Sequence, residues 1–92
     1  MKYRSRTEII TTILETAKNG TTKTKIMYNA YLSYSQLVEY MKILQENGML
    51  TYEKGKHLYR ITDKGTKFLN ASHEINDLMN RSENNTRVVN TR

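Results

Sequence analysis

The sequence predicts a mainly helical fold with one small β-hairpin, its elements running α-α-α-β-β-α. Three observations carry this. Residues 6–46 hold three apolar stripes at helical spacing, each behind a capping residue. The composition then turns strand-like on both sides of Lys54-Gly55-Lys56, and helical spacing returns with Phe68.

The first helix is expected from about residue 6 to residue 19. Ser5 stands three residues before Glu8, the spacing of a capping box, in which each side chain satisfies the other's backbone N–H. Ile9, Ile10, Ile13, Leu14 and Ala17 recur at threes and fours, and Gly20 stands where a helix C-cap belongs. Thr21-Thr22 can cap a second, shorter helix that carries Ile26, Met27 and Ala30. It should end near Asn29, a residue that tolerates the left-handed backbone of a tight turn. Ser33 and Gln36 make another capping box for the third helix, which Asn47-Gly48 stops. Leu37, Met41 and Leu44 share one face with Tyr34; Ser35, Glu39, Lys42 and Glu46 fall opposite, with Gln36, Val38 and Ile43 on the flanks.

Met49–Glu53 and His57–Ile61 are rich in Tyr, Leu, Ile and Thr, and Lys54-Gly55-Lys56 reads as the hairpin turn between them. Thr62 can cap a final helix, residues 66–81, with the stripe Phe68, Ala71, Ile75 and Leu78. Residues 82–92 are polar and unpatterned apart from Val88-Val89, and are expected to be a disordered tail. Residues 1–65, with their basic N-terminal arm, form the main domain in this reading.

Composition excludes several functions. At 92 residues the chain has room for one core. It lacks cysteine, so it has no disulfide framework, no cysteine zinc site and no thiol nucleophile. His57 and His73 stand alone; His73 and Asp77, four apart on a helix, read as an ordinary surface pair. No glycine-rich phosphate loop or nucleophile arrangement occurs, so neither an enzyme, a metal nor a cofactor is expected. No apolar run exceeds three residues, which argues for a cytoplasmic protein without a membrane partner. The net charge of +6 suggests a polyanionic partner.

Folded together, the first three helices make a tripod around Ile9, Ile10, Ile13, Leu14, Ile26, Met27, Leu37, Met41 and Leu44. The hairpin closes it through Leu50, Tyr59 and Ile61. The third helix then protrudes with one face free, and an α-helix fits the major groove of DNA. This is the order of elements in a winged helix-turn-helix.

The residues also resemble a known family. Asn47-Gly48-Met49-Leu50 followed by Tyr59-Arg60-Ile61-Thr62-Asp63-Lys64-Gly65 resembles the wing and closing Thr-x-Lys-Gly of winged-helix regulators. Lys23-Thr24-Lys25-Ile26-Met27-Tyr28, continuing to Tyr34, is similar to the second helix and turn of small archaeal winged-helix proteins. These are nucleoid-associated 10-kDa DNA-binding proteins with a C-terminal coiled coil, and related archaeal transcription regulators. The resemblance implies a DNA-binding protein whose last helix pairs antiparallel with a second copy, here through Phe68, Ala71, Ile75 and Leu78.

The cations gather where such a fold meets the DNA backbone. Phosphate contacts are expected from Arg4, Arg6, Lys23, Lys25, Ser33, Lys54, Lys56 and Arg60. Tyr34, Ser35, Gln36, Glu39 and Lys42 are the candidates for base contact. Three readings stay open: a transcription regulator at the nucleoid, a weakly specific architectural protein, and a winged helix that binds another protein. The acidic residues of the third helix, Glu39 and Glu46, keep the last of these in view.

Overall fold

Helix ends decide how this chain folds back on itself, and capping residues make most of them. The structure, a computed structural model, describes residues 5–90, and the side chains of residues 5–79. Its elements are α1 (Arg6–Thr16), α2 (Lys23–Asn29), α3 (Tyr34–Glu46), β1 (Leu50–Glu53), β2 (Leu58–Ile61) and α4 (Asp63–Asn90). Both expected capping boxes form, Ser5 with Glu8 and Ser33 with Gln36, and Thr22 caps α2.

α1 stops at Thr16, short of the expected residue 19. Thr21, whose N–H would extend the helical ladder, instead exchanges two backbone hydrogen bonds with Tyr59, at 2.9 and 2.8 Å. The Ala17 carbonyl accepts from both Gly20 and Ile61. Pairing with β2 therefore ends the helix, and Gly20, at φ 91°, turns the chain into that pairing rather than capping α1.

α2 and α3 end in the same way. After α2, Leu32 N–H donates to the Met27 carbonyl and Tyr31 N–H to that of Tyr28; after α3, Met49 donates to Leu44 and Gly48 to Gln45. Both are Schellman motifs, which need one left-handed residue. Gly48 supplies it for α3 at φ 72°, and Tyr31 for α2 at φ 54°. The expected left-handed turn residue, Asn29, lies inside α2 instead.

The tripod core is Ile9, Ile13, Leu14, Ile26, Leu37, Met41 and Leu44, closed by Leu50, with Ile10, Met27, Tyr59 and Ile61 packed at its edge. Three residues the stripes did not assign, Leu32, Tyr40 and Leu69, are buried with them. Tyr34 does not share this face: it is 66% exposed and Tyr40 takes the place. As the first residue of α3, Tyr34 projects back past the helix start, where no core lies above it. β1 and β2 pair antiparallel from Leu50 opposite Ile61 to Glu53 opposite Leu58, leaving Lys54–His57 as the loop. That loop's left-handed residue is His57, at φ 56°, and not Gly55.

Thr62 caps α4 and binds α3's end to it. Its hydroxyl accepts from Gly65 N–H at 3.0 Å and donates to the Gly48 carbonyl at 2.6 Å, while its N–H donates to Met49. α4 therefore starts at Asp63 rather than residue 66, and its backbone runs to Asn90, through part of the expected tail 82–92. Residues 91 and 92, and all side chains from residue 80, lie outside the described set. Phe68 packs on the core, Leu69 is buried, and His73 Nε2 meets Glu15 Oε2 of α1 at 2.9 Å. His73 thus pairs with Glu15 across the helix interface, not with Asp77 along its own helix. No helix among the described residues is long and apolar enough to cross a membrane.

Of the four glycines, Gly65 leaves the least room for a side chain. A Cβ there would fall far inside contact distance of the Met49 carbonyl oxygen, and 2.7 Å from Ile61 Cγ1. Helix propensity alone favours alanine at this position by about 1 kcal/mol. Because a backbone carbonyl cannot rotate away, Gly65→Ala should nevertheless destabilise the domain by about 1–3 kcal/mol. Urea unfolding checks this, and a gain in stability would contradict the packing described.

Candidate nucleic-acid interface

The outer face of α3 follows from its inner one. With Leu37, Tyr40, Met41 and Leu44 inward, the 100° step per residue turns Ser35, Glu39, Lys42 and Glu46 outward, all exposed. Tyr34 and Gln36 are exposed beside them. A groove of about 390 Å³ runs along one flank of α3. Its walls are Val38, Lys42, Gln45 and Glu46 from α3, Lys23 from the start of α2, and Tyr59 from β2. The helix, the preceding helix and the wing thus meet along one surface.

Exposed lysines stand in the groove wall, in the first turn of α2 and in the wing loop. Lys23 and Lys25 occupy the first turn of α2, Lys42 projects from α3, and Lys54 and Lys56 flank Gly55 at the wing tip. All five are exposed, and none makes an ion pair among the described residues. Ser33 sits at the helix start, its hydroxyl accepting from Gln36 N–H and lying 3.3 Å from Ser35 Oγ.

Two of the residues expected at phosphates, Arg6 and Arg60, have partners within the domain. Arg4 lies outside the described residues. Arg6 holds its guanidinium 5.5 Å from the centroid of the Tyr40 ring. Tyr40 and Val38 are two residues apart, about 200° around the helix, so Arg6 lies on the flank of α3 away from the groove. Arg60 donates from Nε to Glu53 Oε2 at 3.0 Å and is only one-third exposed, so its charge is already answered. Among the base-contact candidates, Gln36 is partly committed, since its Oε1 accepts from Ser33 N–H at 3.0 Å.

The sequence pattern of winged helix-turn-helix proteins matches residues 3–80. The chain belongs to that family. It is 35% identical over 78 residues to the uncharacterized protein MJ0287 of Methanocaldococcus jannaschii, a match covering 84% of this chain and 78% of that protein. Its structure is similar to the crystal structure of Sso10a-2, a DNA-binding protein from Sulfolobus solfataricus, with a TM-score of 0.76 and 24% identity. That likeness of fold covers 94% of this chain and 93% of the other.

The winged helix also contains site residues that sequence reasoning passed over. Val38, 44% exposed, is an apolar patch in the groove wall; its position on the flank of the stripe was the available signal. Tyr52 and Tyr59 meet across the wing as a tilted pair, with ring centroids 4.8 Å apart and planes inclined at 47°, and the Tyr52 hydroxyl lies 3.1 Å from His57 Nδ1. Nothing in the spacing of these residues marks them, because the cross-strand register brings them together.

The wing's opposite face is held by charge. The hydrogen bond from Arg60 keeps the Glu53 carboxyl below its ordinary range; burial opposes this, and the nearby charges of Arg60 and Lys56 add to it. Glu53 Oε1 is buried without a hydrogen-bond partner among the described residues, so Arg60 supplies the compensation. A carboxylate with a depressed folded pKa adds stability above its unfolded pKa and loses it as pH falls through the folded value. The stability gap between wild type and Glu53→Gln should therefore be full at neutral pH and close progressively below about pH 4.5. Thermal unfolding across this range tests it, and a gap widening in acid would contradict the pairing.

Proposed function

We propose that this winged helix-turn-helix protein binds double-stranded DNA. In this reading α3 enters the major groove, with Tyr34, Ser35, Gln36, Glu39 and Lys42 facing base edges. Lys23, Lys25 and Ser33 anchor one stretch of backbone and the Lys54–Lys56 wing another. The carrying observation is the set of five exposed lysines, free of ion pairs among the described residues, on the elements around one groove. The similar protein from Sulfolobus solfataricus, a DNA-binding protein of the same fold, supports it.

A homodimer formed along α4 belongs to the same proposal. Phe68 is partly spent on the domain's own core, but Ile75, Leu78 and Met79 are 61, 56 and 65% exposed beyond it. A larger groove, about 490 Å³, runs between α1 and α4 and includes Ile75 in its wall. Among the described residues its only charged lining residue is Glu8, and the hydroxyls of Thr11 and Thr12 already bond within α1. Such a groove suits polypeptide better than a polyanion.

The role we assign is a transcription regulator acting at the nucleoid, in the cytoplasm. One observation favours the architectural reading beside it: Gln36 is drawn into its capping box, and Glu39 and Glu46 put negative charge on the outer face of α3. A regulator binds one site far more tightly than bulk duplex, whereas an architectural protein binds both nearly alike. Mapping bound DNA across the native genome separates them, as sharp peaks or even coverage.

Charge reversal at the wing tests the interface itself. Lys54→Glu with Lys56→Glu should weaken duplex binding at least about tenfold, and lower the slope of log K against log salt by about 2. Titrations at several salt concentrations measure both. Unchanged affinity and slope in a folded variant would remove the wing from the interface and favour a protein-binding module.

Pairing along α4 has its own test. Ile75→Glu with Leu78→Glu should shift sedimentation equilibrium from a dimer towards the 10.8 kDa monomer. A wild-type chain that is already monomeric would sink the dimer.

A further inference from the structure

His57 closes the wing loop in a left-handed conformation, at φ 56°, which among non-glycine residues asparagine, aspartate and histidine adopt most readily. From there its Nδ1 lies 3.1 Å from the Tyr52 hydroxyl. The Tyr52 ring leans on Tyr59, and Tyr59 is fastened to Thr21 by both of its backbone groups. Two rings and a bridge thus tie an exposed imidazole at the wing tip to the body of the domain, between strands whose neighbours Lys54 and Lys56 point to a phosphate backbone.

We propose that Tyr52 and His57 form a proton-dependent phosphate contact for duplex DNA. In the neutral pair only one donor faces outward. If the phenol donates to Nδ1, the imidazole offers Nε2–H; if Nδ1–H donates to the phenol oxygen, only the phenol O–H is offered. Uptake of one proton puts hydrogen on both ring nitrogens. Nδ1–H then donates to the Tyr52 oxygen, and Nε2–H and the phenol O–H both point outward with an added positive charge. This rests on the DNA-binding reading and adds its pH control.

The surroundings leave that proton to be stabilised by the ligand. Lys54 and Lys56 in the loop oppose it by like charge. From β2, Tyr59 contributes a neutral ring, and beyond Tyr59 the groove wall holds Glu46 together with Lys23 and Lys42. On β1, alternation puts Glu53 on the other face from Tyr52, with its carboxylate bonded to Arg60. A phosphate at the wing tip is the missing anion, so DNA binding takes up a proton and weakens as pH rises.

Fluorescence anisotropy of the full chain on a labelled duplex of about 20 base pairs, at constant ionic strength between about pH 5.5 and 8.5, tests this. The wild-type Kd should rise about tenfold across the range. His57→Gln should flatten the curve at the wild-type high-pH value, and His73→Gln should leave the slope intact. Tyr52→Phe, which keeps the tilted ring pair, should remove part of the slope; circular dichroism checks that each variant is folded. A flat wild-type curve with duplex still bound, or a slope that survives His57→Gln, overturns the inference and leaves the DNA-binding reading standing. Absence of duplex binding at every pH overturns both.

Discussion

The geometry of the domain depends on the junction at Thr62. One hydroxyl caps α4 through Gly65 and reaches back to the Gly48 carbonyl, while the Thr62 N–H takes the Met49 carbonyl. Three element ends, those of α3, β1 and α4, are thereby fixed by one side chain and its own backbone. Gly65 must be bare for this to close, since the Met49 carbonyl occupies the space of a side chain. Loss of the junction would free the wing from α3 before it disturbed the tripod, because Ile13, Leu14, Ile26 and Leu37 bury one another without it.

What could be read from the sequence follows from the range of the interactions involved. Capping boxes at Ser5–Glu8 and Ser33–Gln36 are local, and both form as their spacing requires. The tripod stripes are periodic, and their members are buried or packed at the core's edge. Contacts between distant segments were not legible. Thr21 with Tyr59 is a single-residue bridge, too short to leave a strand pattern, yet it shortens α1. Tyr31 takes a left-handed turn that propensity would give to asparagine or glycine, because the flanking hydrogen bonds overrule it. Of the proposed site, the exposure of the lysines of α2 and the wing was legible, whereas the partners that hold Arg6 and Arg60 became visible only in three dimensions.

Charge and shape divide the work on the exposed surface. The helix that fits a groove carries Glu39 and Glu46 against Lys42, while the flanking elements carry the unpaired lysines. An interface of this kind draws affinity from its edges, where phosphates run, and leaves its centre free to discriminate between sequences. The groove beside Val38 adds an apolar strip to that surface.

The rod formed by α4 has a mechanical consequence. Its 28 residues span about 42 Å, longer than the 34–36 Å of one DNA turn, and Thr62 and Gly65 hold its root stiffly. In a symmetric pair joined along such rods, the two reading heads become the jaws of a calliper whose opening is set by helix length. Each residue inserted between root and seam would move one head by about 1.5 Å and turn it by about 100°. Under the pairing proposed along α4, helix length would thus gauge how far apart, and on which side of a duplex, two grips can land.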